Sequence, residues 1–202
     1  MSDKENNHFN NYDNNLLIVH DYFNIFTLPF IIVLNWTYLI NPSFLGFDLL
    51  FYLFIIYMMV DFIWLLLKPK SVGSPGSIMF HHVISVLGWS VIYFDPRLAL
   101  IARLAILVEC NTWFNILKRY YKTDFVYKCF YVTWFLFRVI LYPTLTYLVY
   151  NKMILYYGYY GTFFNLATIG FLVISLLCIL NYKWTYDLIV KKGYLGVTSK
   201  RD

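Results

Sequence analysis

Long apolar stretches alternate with short polar segments along most of the chain. Six of these stretches approach the ~20 residues that a helix needs to cross a hydrocarbon core about 30 Å thick. Their apolar residues fill the whole stretch instead of recurring at amphipathic spacing, so we predict an all-α integral membrane protein. The predicted transmembrane helices cover residues 22–40, 47–67, 78–94, 98–117, 125–148 and 154–180.

Composition supports this class, because 60% of the 202 residues are hydrophobic and only 13% are charged. A soluble domain cannot bury that much apolar surface. We interpret 1–21 as a disordered, Asn-rich cytoplasmic tail, 22–180 as one six-span domain and 181–202 as a basic cytoplasmic tail. Such a chain is not expected to bind nucleic acid. The cysteines fall in apolar stretches without metal-ligand spacing, so we predict no metal site.

Basic residues are concentrated on one side of the predicted topology. The two tails and the second and fourth loops carry twelve Lys and Arg residues, whereas the other loops carry Arg97 and Lys152. The positive-inside rule therefore predicts that both termini are cytoplasmic.

Several ionisable residues interrupt the predicted spans, where each costs a few kcal/mol. They are Asp61, His81, His82, Arg103, Glu109 and Arg138. Arg103 lies toward the far side and can extend to the interface. The others fall in the cytoplasmic half of four spans, so we predict a polar pocket that opens to the cytoplasm.

The adjacent histidines are candidates for acid–base chemistry, because the pKa of imidazole lies near working pH. Neighbouring residues on a helix point about 100° apart, so the two side chains have different roles. We interpret His82 as the general base, oriented by His81 or by Glu109, with Ser85 flanking both histidines. The alternative is a hydrogen-bonded pair that only joins helices.

Glu109 lies in the most polar stretch at depth, beside Thr112 and Asn115. It either holds the imidazole tautomer, as the acid of a catalytic triad does, or forms a structural ion pair with Arg138. Arg138 is also a candidate for stabilising an oxyanion or binding a head group. Asp61 is either a helix–helix hydrogen-bond partner or a further member of the pocket.

Basic residues are predicted to surround the cytoplasmic mouth of this pocket. Lys68 and Lys70 precede the histidines, and Lys118, Arg119 and Lys122 follow Glu109. Such a rim suits the phosphates of coenzyme A or of anionic lipids. The positive-inside rule explains the same residues without a ligand.

The sequence resembles the TLC domain family in four features. They are the histidine pair, an acid 28 positions after the first histidine, "MMVDFIWLLLK" around Asp61 and "FRVILYP" around Arg138. That family includes ceramide synthases and smaller multi-spanning proteins of lipid homeostasis. The resemblance covers roughly 45–190. It implies a six-helix barrel around a lipid-accessible cavity, a histidine-centred site, and a location in the endoplasmic reticulum or another endomembrane.

The chain is more similar to the small TLC domain-containing proteins than to true ceramide synthases, which carry aspartates at the positions of Glu109 and Thr112. The resemblance implies acyl transfer from acyl-CoA, as co-substrate, to a lipid acceptor, with membrane lipids as partners and no bound cofactor. A non-catalytic lipid-binding, lipid-sensing or trafficking protein is the alternative. A channel or transporter is a third hypothesis, but the sequence has no inverted repeat that would support it. The sequence leaves catalysis and oligomeric state open.

Overall fold

The computed structural model describes residues 3–41, 47–69, 72 and 74–191, and the side chains of 15–41, 48–69, 72 and 74–190. This part of the chain contains no strand and has six helical spans that are long and apolar enough to cross a membrane. The predicted all-α, six-span membrane fold is confirmed.

Eight α-helices build the six spans, because the fourth and fifth spans are each interrupted. In chain order the helices are α1 (Asp3–Ile40), α2 (Phe47–Leu67), α3 (Pro75–Phe94), α4 (Ala99–Ile106), α5 (Val108–Tyr120), α6 (Asp124–Thr133), α7 (Tyr142–Tyr160) and α8 (Leu166–Lys191). A 3₁₀ turn, Pro96–Leu98, precedes α4 in the fourth span. A π-helical segment, Trp134–Leu141, joins α6 to α7 in the fifth.

The spans close into a barrel. The first span contacts the second, the second the third, the third the sixth, the sixth the fifth, the fifth the fourth, and the fourth the first. Helix α4 also contacts α1, α3 and α7, so this half of the broken fourth span fills one end of the barrel. The other end, which we call the basic end because Lys118 and Arg119 lie there in the last turn of α5, has room for a cavity.

Large apolar side chains cover the outside of the barrel and also pack inside it. Exposed aromatic residues such as Phe26, Phe94, Phe125 and Phe164 are suited to contact lipid tails. Inside, two buried apolar clusters join neighbouring spans, one centred on α1 and α2 and the other on α7 and α8.

The predicted start of the membrane domain at residue 22 is too late. Helix α1 extends back through the segment interpreted as a tail, 1–21, and His20 and Asp21 are buried within the barrel. Their polarity hid them in the sequence, since only contacts with other helices make their burial favourable. Residues 1 and 2 lie outside the described residues.

The predicted start of the basic tail at residue 181 is also early. Helix α8 continues to Lys191, and Asn181 is almost fully buried. The first turns of the predicted tail 181–202 therefore belong to the barrel, and residues 192–202 lie outside the described part of the chain.

The boundary between the fifth and sixth spans lies later than predicted. Helix α7 continues through a tyrosine-rich segment to Tyr160, so Lys152, predicted in a loop, is a helix residue. Gly161 then ends the helix with φ of 68°, a left-handed conformation that glycine adopts without a Cβ clash. The sixth span starts at Leu166 and not at 154.

A polar contact joins α3 to α7 at the end of the barrel opposite the basic end. The buried carboxylate of Asp95 accepts a hydrogen bond from Arg97 Nε at 2.7 Å and one from the Tyr156 hydroxyl at 3.0 Å. Burial favours the neutral acid, but these donors hold the pKa of Asp95 below its ordinary value.

Gly88 sets the approach of α3 to α8, and we predict that Gly88→Ala destabilises the barrel. A Cβ at this position would lie 2.9 Å from Val173 Cγ1. Gly158→Ala is the matched control, since nothing lies within 4 Å of its added Cβ. We expect Gly88→Ala to lower the free energy of unfolding by about 1–3 kcal/mol relative to the control, measured by unfolding in detergent.

In the background of Gly88→Ala, Val173→Ala removes the contacting methyl groups. We expect it to reduce the difference between the two glycine variants. Equal stability of Gly88→Ala and Gly158→Ala would contradict close packing of α3 on α8.

Candidate functional site

A polar cavity of about 500 Å³ lies at the basic end of the barrel. All six spans contribute to its lining, which contains many polar residues. Among these are His20, Asn24, Asp61, His81, His82, Glu109, Thr112, Asn115 and Arg138. The structure thus brings together the histidines and the ionisable residues predicted from four spans, and adds residues of α1 and α8.

Asp61 connects three helices at the wall of this cavity. Its Oδ1 lies 2.7 Å from His20 Nε2 on α1, and its Oδ2 lies 2.7 Å from His82 Nε2 on α3. Asn24 donates to Asp61 Oδ1 at 3.2 Å, and the Tyr57 hydroxyl donates to Asn24 Oδ1 at 2.7 Å. All of these side chains are buried, so the carboxylate receives hydrogen bonds in place of water.

This network determines which ring nitrogen of His20 and of His82 donates a hydrogen bond. Because a carboxylate only accepts, His20 and His82 both donate through Nε2. Their Nδ1 atoms are enclosed and have no hydrogen-bond partner in the described part of the chain. Neither ring therefore presents a nitrogen to the cavity.

His81 is the imidazole that faces the cavity. Its Nδ1 is enclosed, but its Nε2 is neither enclosed nor hydrogen-bonded to any described residue. The ring packs edge-on against Trp184, with centroids 5.6 Å apart. Of the three histidines, His81 is thus the one placed to exchange a proton with a ligand.

The partner of His82 differs from the predicted one. Neither Glu109 nor His81 is hydrogen-bonded to His82 within the described residues, and Asp61 is. Asp61 lies six residues before the end of α2, and His82 lies seven residues after the start of α3. At about 1.5 Å per residue the two groups are at the same depth on adjacent antiparallel helices, which brings them into contact.

Glu109 makes neither of its two predicted pairings. It lies buried in the first turn of α5, just after the chain breaks at Leu107 between α4 and α5. Thr112 is within hydrogen-bonding range of its carboxyl group and Arg138 and His82 lie near it, yet no ion pair joins Glu109 to Arg138 in the described structure. Its carboxyl group is therefore available to a ligand.

Arg138 is held by neutral groups. Its Nε donates to Asn111 Oδ1 at 2.8 Å, its Nη1 to Asn181 Oδ1 at 2.6 Å and its Nη2 to Thr112 Oγ1 at 3.3 Å. Asn111 and Asn181 were not predicted as site residues. Asn111 lies in the polar stretch between Glu109 and Thr112, which was the available signal, whereas nothing in the sequence distinguishes Asn181 from other asparagines in apolar stretches.

Two indole rings fix the plane of this guanidinium. Trp134 and Trp184 each lie with their ring centroid 5.0 Å from Arg138 Cζ. Arg138 itself belongs to the π-helical segment that ends just before Pro143, a residue that cannot donate a backbone hydrogen bond. π-Helical turns are frequent at functional sites, where they redirect a side chain.

The remaining predicted residues fall in four groups. Thr112 and Asn115 line the polar cavity as predicted, whereas Ser85 lines a second cavity farther from the basic end. Lys68 is half-buried and does not line the polar cavity. Lys70 lies outside the described residues.

The second cavity is narrow, about 60 Å³, and almost entirely apolar. His81 and Glu109 line both cavities, so the two meet at these residues. From His81 to Val91 the second cavity follows α3 for about 15 Å. The cavity exists because small residues on three spans leave room for it; among them are Gly88, Ala102, Ala105 and Gly170.

The polar residues of α1 were missed in the sequence. Besides His20 and Asn24, Asp21 accepts two hydrogen bonds from Arg119 Nη1, at 2.8 and 2.9 Å, at the mouth of the cavity. The spacing of His20 and Asn24, four residues apart before an apolar stretch, places them on one helix face and was the available signal.

The TRAM/LAG1/CLN8 family model of the TLC domain matches residues 16–190. The chain belongs to the TLC domain family. This match confirms the resemblance found in the sequence and also covers His20, which lies before the range first assigned. The protein is therefore a multi-pass membrane protein of this family. Comparison with curated proteins and with solved structures gives no match.

We predict that His20 and Asp61 are strongly coupled. A buried hydrogen bond to a charged group contributes about 1.5–3 kcal/mol. In a double-mutant cycle of His20→Ala and Asp61→Asn, measured by unfolding in detergent, we expect a coupling energy in this range.

The control cycle uses the pair of Lys183, which is exposed, and Asp187, which is partly buried; the two are 3.3 Å apart on α8. We expect a coupling of about 0.5 kcal/mol or less there. Additive effects of the His20 and Asp61 variants would exclude the bridge from α1 to α2.

Proposed function

We propose that the protein is a membrane-lipid acyltransferase that uses His81 to move a fatty acyl group from acyl-CoA to a lipid acceptor. The observation that supports this best is the position of His81. The one open imidazole nitrogen of the site lies where a polar cavity meets a narrow apolar one. An acyl thioester has the same division, a polar end and a long hydrocarbon chain.

Each part of the site has a role in this proposal. The hydrocarbon chain enters the apolar cavity, and the thioester carbonyl lies beside His81. The coenzyme A phosphates extend toward the basic end, where Lys118 and Arg119 line the mouth. The acceptor shares the polar cavity, whose volume of about 500 Å³ is within the range of small-molecule sites.

The chemistry follows from the hydrogen-bonding state of the imidazoles. His81 takes a proton from an amine or hydroxyl group of the acceptor, which attacks the thioester carbonyl while the C–S bond breaks. Direct attack by His81, with an acyl-imidazole intermediate, is a variant of the same proposal. Arg138 is a candidate donor for the developing oxyanion. His82 does not touch the substrate in this proposal; it is held by Asp61, and its ring centroid lies 5.6 Å from that of His81.

The setting of the proposed reaction is lipid metabolism in the endoplasmic reticulum or another endomembrane. The concentration of basic residues at one end of the barrel supports a cytoplasmic orientation for the mouth of the polar cavity. Acyl-CoA would then enter from the cytoplasm, and the lipid acceptor would enter from the membrane.

We predict that purified wild-type protein transfers label from long-chain acyl-CoA to a member of a panel of amine and hydroxyl lipids. Loss of the general base in His81→Ala should lower the rate by about 10²–10⁴-fold. Arg97→Gln, at the opposite end of the barrel, should retain the wild-type rate.

Two outcomes would change this assignment. If His81→Ala is active and folded His82→Ala is inactive, His82 is the general base and His81 is the residue that supports it. No turnover with any acceptor, by protein that retains bound lipid, would reject acyl transfer in favour of a non-catalytic lipid-binding protein.

We further predict that Gly170→Leu shortens the acyl chain that the protein prefers. The added side chain would project toward Leu98, Val91 and Val149, which lie 3.6–3.8 Å from a Cβ at this position and line the far part of the apolar cavity. Gly170→Ala, which makes only ordinary contacts, is the control. Competition between acyl-CoA chain lengths measures the change, and an unaltered preference would exclude this cavity as the acyl site.

A further inference from the structure

Two charged side chains of the polar cavity have no ion-pair partner within the described residues, Glu109 and Arg138. The other acidic residues of the lining are bound by basic residues or histidines, namely Asp21, Asp61 and Asp187. A charge at membrane depth is costly unless another charge or a set of hydrogen bonds compensates it. Apart from the basic residues at the mouth of the cavity, Glu109 and Arg138 therefore present one buried negative and one buried positive group to a ligand.

The guanidinium group of Arg138 is suited to bind an oxyanion. Arg138 has five N–H donors, and its three hydrogen bonds leave two of them available. The flanking rings of Trp134 and Trp184 hold the guanidinium plane, which favours bidentate recognition of phosphate or carboxylate. Asn115 lines the same cavity and adds an amide donor with no side-chain hydrogen bond to the described residues.

The negative group lies where an acyl acceptor would react. Glu109 and His81 line both the polar and the apolar cavity, so an ammonium bound by Glu109 would share the junction of the two cavities with His81. Neutral acceptors such as alcohols would leave both Glu109 and Arg138 without an opposite charge. A head group that carries both charges compensates both.

We infer that the acyl acceptor is a zwitterionic lipid whose head group carries a primary amine and a phosphate, as in the phosphoethanolamine lipids. The ammonium binds Glu109, the phosphate binds Arg138, and the apolar tails extend toward the membrane. The assignment of the amine as acceptor rests on the proposed acyl transfer, but binding of the head group does not require turnover.

The proposed reaction forms an amide. The ammonium first loses one proton to His81, and the neutral amine then attacks the thioester carbonyl. The N–C bond forms, the C–S bond breaks, and the second proton of the nitrogen passes to the leaving thiolate. The products are an N-acylated lipid and free coenzyme A, with one proton released, and no oxidant or reductant is consumed.

The test compares binding of four probes, and of lysophosphatidylcholine as a fifth, to the purified protein in detergent, measured by the change in tryptophan fluorescence. Lysophosphatidylethanolamine carries both groups, lysophosphatidic acid only the phosphate, and octadecylamine only the amine. Free phosphoethanolamine lacks the chain and distinguishes head-group binding from lipid binding. We expect lysophosphatidylethanolamine to bind about tenfold or more tightly than each of the other probes.

Two variants test whether Arg138 binds the phosphate and Glu109 binds the ammonium. Arg138→Gln should weaken lysophosphatidylethanolamine and lysophosphatidic acid about tenfold or more and leave octadecylamine unchanged. Glu109→Gln should weaken lysophosphatidylethanolamine and octadecylamine and leave lysophosphatidic acid unweakened. Arg138→Lys retains the charge and controls for misfolding, with the unfolding midpoint measured for each variant. Arg97→Gln is the control for an arginine outside the cavity.

Two results would overturn the inference. One is equal affinity for lysophosphatidylethanolamine and lysophosphatidylcholine, whose quaternary nitrogen cannot be acylated and cannot donate a hydrogen bond to Glu109. The other is unaltered lysophosphatidylethanolamine binding by folded Arg138→Gln. If acyl transfer to another acceptor is still observed, the proposed enzyme class survives and only this acceptor is rejected.

Discussion

A polar side chain inside a membrane barrel has to find its partner on another helix, because no water is available in the hydrocarbon region. Asp61 shows the consequence most clearly. Its two carboxylate oxygens bind His20 on α1 and His82 on α3, so one residue of α2 fixes three spans at the same depth. The rest of the site is arranged around this contact, since it determines which imidazole is left to face the cavity.

The break at Leu107 and the π-helical segment Trp134–Leu141 each lie at or beside a charged residue inside the barrel. Non-helical backbone at membrane depth is tolerated where it is enclosed by protein or lines a cavity. The break at Leu107 precedes Glu109, and the π-helical segment contains Arg138. Both side chains line the polar cavity. These distortions bring two opposite charges to one cavity without pairing them with each other.

The division of the interior into a polar and an apolar space makes the barrel suited to an amphiphile. The polar space lies at the basic end and the narrow apolar space lies beyond His81 and Glu109. Small residues such as Gly88 and Gly170 allow helices to approach while leaving room for a chain. Under the proposed acyl transfer, a reaction at the junction would lie at a fixed distance from the end of the apolar cavity, which would let the site select a substrate by length as well as by head group.

The sequence by itself determined the class, the six spans, the family and most members of the site. Length and apolar content set the spans, and the spacing of the histidine pair and Glu109 was enough for the resemblance. Tertiary structure decided the partners. His82 contacts Asp61 and not Glu109, Arg138 is held by Asn111 and Asn181, and α1 adds His20. Hydropathy and helical periodicity report how deep a side chain lies and which face it shares, but not which helix stands opposite. That choice depends on the order of the spans around the barrel, which only packing between distant segments establishes.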